Sequence, residues 1–144
     1  EIISMLKKVV NKFKKESIVA HFVFNSQCNA KASQKMVKDV MKAHAAKKKN
    51  IVGVVLSINS PGGSAVHSSL ISSHAATFAK KKNVPFITIC EDMAASGGYW
   101  VLCTGTHGVY AHPASMVGSI GVIATLADFK GAFDQSKIER PVIQ

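Results

Sequence analysis

Residues 51–59 read Ile-Val-Gly-Val-Val-Leu-Ser-Ile-Asn, a nearly continuous apolar run of strand length that stops at Ser60-Pro61-Gly62-Gly63. Unbroken apolar character, in place of alternation, predicts a strand buried on both faces of a parallel sheet. The flanking segments agree. Residues 17–24 are rich in β-branched and aromatic side chains and predict a strand ended by Asn25 and Ser26. Residues 31–49 put Met36, Val37, Val40, Met41 and His44 on one helical face, and residues 64–82 repeat Val66, Leu70, Ile71, Ala75 and Phe78 at helical period. Residues 86–90 predict the next buried strand. Strand, helix, strand, helix, strand implies right-handed crossovers and a mainly parallel sheet, so the fold class is α/β. After Ser96 the pattern predicts a helix of about ten residues, then a short strand over 108–111 and a strand or loop over 117–125. No repeat or linker divides the chain. Residues 1–16, with Ile3, Leu6, Val10 and Phe13 at helical spacing among lysines, are expected to form a basic amphipathic segment ahead of one domain.

Composition narrows the function classes. With 144 residues, 47% hydrophobic and 18% charged, the chain is neither a disordered tail, a collagen-like repeat nor a disulfide-framed miniprotein. Its net charge of +10 raises nucleic acid, anionic membranes and acidic proteins as partners. Residues 1–50 hold 12 lysines against 3 acidic residues, so nearly all of that charge belongs to the first third. Lys47–Lys49 and Lys80–Lys82 fall in the last turns of predicted helices, where cations complement the macrodipole; contact of residues 1–50 with a membrane surface stays open beside that reading. Nucleic-acid readout is not expected, because no stacking aromatics are interleaved with the lysines. Cys28, Cys90 and Cys103 lack metal-ligand spacing and are expected to be buried free thiols, with no metal and no cofactor. Residues 93–127 contain no Asp, Glu, Lys or Arg, but six glycines and a proline interrupt them, so a loop-rich core is expected over a membrane span. The chain begins at Glu1 without a signal-peptide core, as a processed or truncated product would.

Two glycine-bearing turns follow predicted parallel strands: Ser60-Pro61-Gly62-Gly63 and Ala95-Ser96-Gly97-Gly98. Carboxyl ends of parallel strands are where ligands bind, so both turns can face one crevice. Ser96, between small neighbours at a helix entry, can present its hydroxyl with the Gly97 amide pointing the same way. A serine with amides from the next residue and from a separate Gly-Gly turn is what acyl transfer needs, because its tetrahedral intermediate carries an oxyanion. The plain alternative, a strand-ending turn and a tight helix entry without chemistry, is also open.

Taken in order, Ser60-Pro61-Gly62-Gly63, Met93-Ala94-Ala95-Ser96-Gly97-Gly98-Tyr99 and Val117-Gly118-Ser119-Ile120-Gly121-Val122 resemble the signature blocks of the signal peptide peptidase A and SohB serine peptidases of family S49, the SohB branch most of all. The resemblance runs from residue 51 to residue 144. It implies a ClpP/crotonase-like fold, here a partial domain over 17–144, and a Ser–Lys dyad that hydrolyses peptide bonds near a membrane. It makes Ser96 the nucleophile and gives the oxyanion hole to the amides of Gly63 and Gly97, supported by Gly62. Ser119 matches the serine that orients the lysine. It implies a membrane-associated protein whose partners are a peptide or protein substrate and further copies of itself.

The lysine of that family lies in a Gly-x-x-Lys motif, and residues 141–144 align just before it, so it is expected beyond Gln144 and this stretch alone is expected to be inactive. Lys130 and Lys137 are weaker substitutes. A Ser–His–Asp arrangement would draw on His107 or His112 with Asp128 or Asp134, though structural roles are expected for both histidines and for His67 and His74. Glu91 and Asp92 read as a solvated turn. Cys103-Thr104-Gly105-Thr106-His107-Gly108 is one residue longer than the corresponding run in the family. Two rival functions stand beside the peptidase: a non-catalytic ClpP-like scaffold or peptide-binding module, and a polyanion-binding basic domain.

Overall fold

The computed structural model describes residues 17–46, 50–122 and 135–136. Its elements alternate as the pattern predicts: β1 (Ser17–Asn25), α1 (Ala30–Ala45), β2 (Asn50–Ser60), α2 (Ala65–Lys82), β3 (Phe86–Ala95), α3 (Gly97–Leu102), β4 (Gly108–Ala111) and β5 (Met116–Gly118). The sheet runs β1-β2-β3-β4, and β5 also pairs with β3. Every one of these pairings is parallel. β4 covers Ile87–Cys90 and β5 covers Met93–Ala95, so the two short strands follow one another along the same edge of β3.

The core is built on one sheet face. Phe22 and Phe24, Val54, Leu56 and Ile58, and Phe86, Cys90 and Ala94 are buried with Met36, Ile71, Ala75 and Phe78 from the helices. Phe78 meets the Phe22 ring edge-on at 5.6 Å and the His44 ring at 4.7 Å, which fixes α2 against both β1 and α1. Thr88 Oγ1 donates to Leu102 O at 2.6 Å and ties α3 to β3. The opposite face corrects the expectation of a strand buried on both sides: Val52 is exposed and Val55 only half-buried, because α1, α2 and α3 all pack on the face of Phe22, Leu56 and Thr88.

Further corrections concern boundaries. α1 ends at Ala45, so Lys47–Lys49 follow the helix and lie outside the described residues, as do residues 1–16. Met41 is exposed and off the packed face. In α2, Val66 and Leu70 are exposed while Ser68 and Ser72 are buried, because the helix turns its serine row toward its neighbours. Lys80–Lys82 do occupy the last turn of α2, which Asn83 closes in the left-handed conformation. β3 continues through Glu91 and Asp92 as exposed strand, with no turn there; Asn59 Nδ2 donates to Asp92 Oδ2 at 2.7 Å across the β2–β3 pair. The helix after Ser96 has 6 residues, not ten. The strand expected over 117–125 is described only as β5. Cys103 is exposed, unlike Cys28 and Cys90.

Candidate active site

β2 and β3 end side by side, Ser60 in register with Ala94, and the two glycine turns leave the sheet at its carboxyl edge. The first turn is held from three sides. Ser60 Oγ, fully buried, accepts from the Gly62 amide at 3.1 Å. The loop after β1 places Cys28 in a parallel bridge with Gly63: Cys28 N–H donates to Gly62 O at 2.7 Å, and Ser64 N–H donates to Cys28 O at 2.8 Å. With the amides of Gly62 and Ser64 engaged, the Gly63 amide is the one turned away from Cys28, as the middle residue of a parallel bridge must be. It has no partner among the described residues. Only glycine fits there: φ is +139°, and a Cβ would stand 2.6 Å from Cys28 O.

The second turn carries the serine. Ser96 caps α3 with φ +51° and ψ −119°, a conformation that L-residues hold only when their surroundings impose it. Its own amide donates to Gly118 O at 2.9 Å, and its carbonyl accepts from Trp100 N–H at 3.1 Å, so both sides of the turn are pinned. Its hydroxyl makes no capping bond. The Gly97 amide, in the first turn of α3, has no partner among the described residues. A Cβ on Gly62 would lie 2.8 Å from both Gly97 N and Ser96 Cβ, so the two turns are in direct contact.

These residues open onto one cleft of about 910 Å³, lined by Pro61, Gly63, Ser96, Gly97, Trp100 and Ser119 among others. The structure thus brings together Ser96, Gly63, Gly97 and Ser119, with Gly62 behind them. Among the described residues none that lines the cleft is charged, so the donors facing a charge that develops at Ser96 are backbone amides and hydroxyls.

The histidines stand elsewhere. His107 Nδ1 accepts from Phe86 N–H at 3.3 Å at the start of β3, and His112 Nδ1 accepts from Ala114 N–H at 3.1 Å. Neither lines the cleft. His67 bonds Ser33 Oγ at 3.1 Å between α2 and α1. Asp128, Asp134, Lys130 and Lys137 lie outside the described residues. Among the described residues no group of three or more His, Cys, Asp or Glu could hold a metal ion, and no helix is long and apolar enough to cross a membrane. Cys28 and the buried Ser60 hydroxyl are the site residues that sequence reasoning missed; Ser60 sits in a motif that points to it, whereas nothing local marks Cys28.

Comparison with known proteins gives the same direction. Residues 78–144 match the sequence profile of peptidase family S49. The chain is 38% identical over 94 residues to the Na(+)/H(+) antiporter NhaA of Brucella melitensis, 65% of this chain and 13% of that protein. It is 37% identical over 76 residues to protease 4 of Salmonella typhi, 53% of this chain and 12% of that protein. It is 34% identical over 97 residues to the chloroplastic serine protease SPPA of Arabidopsis thaliana, 64% of this chain and 14% of that protein. The chain therefore spans about one eighth of the length of these relatives. Its parallel sheet with helices between the strands is consistent with the ClpP-like fold of S49 peptidases.

Proposed function

We propose, from the match of residues 78–144 to the profile of peptidase family S49, that the chain is part of a serine peptidase of the signal peptide peptidase A, protease 4 and SohB type, with Ser96 as its nucleophile. The observation that supports this reading is Ser96 at positive φ in a cleft it shares with two amides, Gly63 and Gly97, that have no partner among the described residues.

Ser96 Oγ attacks the scissile carbonyl carbon while a general base takes its proton. The carbonyl oxygen becomes the oxyanion and accepts from the Gly63 and Gly97 amides. The base then returns the proton to the leaving amine as the C–N bond breaks, and water releases the acyl group by the same route. An unassisted serine is a weak nucleophile, so the base is essential. We assign it to a lysine beyond residue 144, whose amine a dry cleft would hold neutral, with Ser119 orienting it. The uncharged lining favours substrates with small or apolar side chains beside the scissile bond. A membrane-associated setting and assembly with further copies are part of the same proposal, on the likeness to the family.

The test is an active-serine-directed peptide probe applied to the full-length protein and to Ser96→Ala. Labelling of the parent alone supports the assignment. Equal labelling of both sinks it in favour of the non-catalytic scaffold.

A further inference from the structure

Cys28, in the β1–α1 loop, reaches both glycine turns. Its backbone grips the first, through the bonds to Gly62 O and from Ser64 N–H. Its thiol lies beneath the second, where Sγ would stand 3.3 Å from a Cβ on Gly97, and is 3.9 Å from Ser60 Oγ of the first. The side chain is 2% exposed, so it fills this space and does not line the cleft. Ser68 closes the other side of Gly97, with its Oγ committed to Ser64 O at 2.8 Å. Gly97 is therefore bounded by Cys28 and Ser68, and Gly63 by the Cys28 carbonyl. The two amides assigned to the oxyanion come from separate crossovers of the sheet, and Cys28 is what both rest on.

We propose that Cys28 is a positioning residue for the oxyanion hole: its backbone turns the Gly63 amide into the cleft, and its thiol sets the spacing between the Gly63 and Gly97 amides. The inference rests on the peptidase reading for its catalytic consequence, but its geometric half stands without it. Cys28 is not among the residues that line the cleft. It acts through two backbone N–H groups whose placement matters because an oxyanion donor is effective only within hydrogen-bond distance of the developing charge. Ground-state binding along the cleft walls does not pass through those amides, so displacing them lowers kcat and leaves KM in place.

The test compares Cys28→Met, which adds bulk under Gly97, with Cys28→Ser, which keeps the size, in the full-length protein. Turnover of a fluorogenic peptide with apolar residues is expected to fall about 10²-fold in kcat for Cys28→Met, with KM within about twofold of the parent, while Cys28→Ser keeps most of the rate. The geometric half is read separately from 15N-labelled protein: the Gly63 and Gly97 amide resonances move together in Cys28→Met while that of Gly121 does not. Unmoved Gly63 and Gly97 resonances, or kcat and KM changing in parallel, overturn the proposal. A parent and a Ser96→Ala variant that turn over the peptide equally overturn the peptidase reading, and the amide resonances still decide the role of Cys28.

Discussion

The Ser96 amide donates to the Gly118 carbonyl at 2.9 Å, so the strand that β5 adds beside β3 ends on the backbone of the proposed nucleophile. Gly118 has φ +134° and no described residue within 4 Å of where a Cβ would stand, so its conformation is what demands glycine. Gly118→Ala is expected to tilt β5 away from Ser96 and lower kcat about 10- to 100-fold. Gly53→Ala, in β2 away from the cleft, without a positive φ and with nothing nearer than 3.9 Å to the added Cβ, is expected to leave kcat unchanged. Steady-state kinetics of the two variants check the pair, and equal effects would remove β5 from the argument.

Ser60 offers a stability test. Its hydroxyl is fully buried and is the acceptor for the Gly62 amide. Ser60→Ala strands that buried donor, and the cost expected is about 1–3 kcal/mol. Denaturant unfolding should show a lower midpoint at unchanged slope. Ser69→Ala is a suitable control, since Ser69 is half-exposed in α2 and its carbonyl, not its hydroxyl, receives the Ser72 bond.

Much of this arrangement is legible in the sequence, for reasons that differ between residues. The apolar runs of β2 and β3 and the Pro-Gly-Gly turn carry local signals, and so does the small-residue entry to Ser96. β3 runs on through Glu91 and Asp92, which lack strand character, because they lie in a register shift whose two sides are paired: Cys90 with Ile58 before them, and Met93–Ala95 with β5 and Ala94 with Ser60 after them. α3 stops at Leu102 because the amides of Thr104 and Gly105 donate to carbonyls three residues back, Val101 O and Leu102 O, in place of four. Cys28 was not legible at all. Its role is a backbone bridge to a residue 35 positions away, and no side-chain pattern encodes that.

The cysteines yield a reactivity prediction. Burial holds the Cys90 thiol above its ordinary value of 9.0, with Asp92 and Glu91 pushing the same way and the Ser115 hydrogen bond opposing. The native state thus favours the neutral thiol. The resulting stabilisation is complete below the unfolded-state value and is lost as pH rises from there through the folded value. From about pH 8 to about pH 10, unfolding free energy should fall more steeply in the parent than in Cys90→Ala. At neutral pH, iodoacetamide followed by peptide mapping should mark Cys103, which is exposed, well ahead of Cys28 and Cys90.

Trp100 supplies an optical readout of the cleft. It follows Ser96 by four residues, one helical turn, and its amide bonds the Ser96 carbonyl, so the indole stands over the same side of α3 as the serine. It is 49% exposed, and it is the only tryptophan in this sequence. A bound apolar peptide would cover that ring, shifting its emission to shorter wavelength. The difference spectrum should vanish in Trp100→Phe, which keeps an aromatic wall and should bind within a few fold of the parent. Trp100→Ala removes the wall and should raise KM roughly tenfold or more, because a half-exposed aromatic buried by a ligand is a typical anchor. A peptide that binds without altering Trp100 emission would place the substrate elsewhere, and the cleft beside Ser96 would lose its claim to be the site.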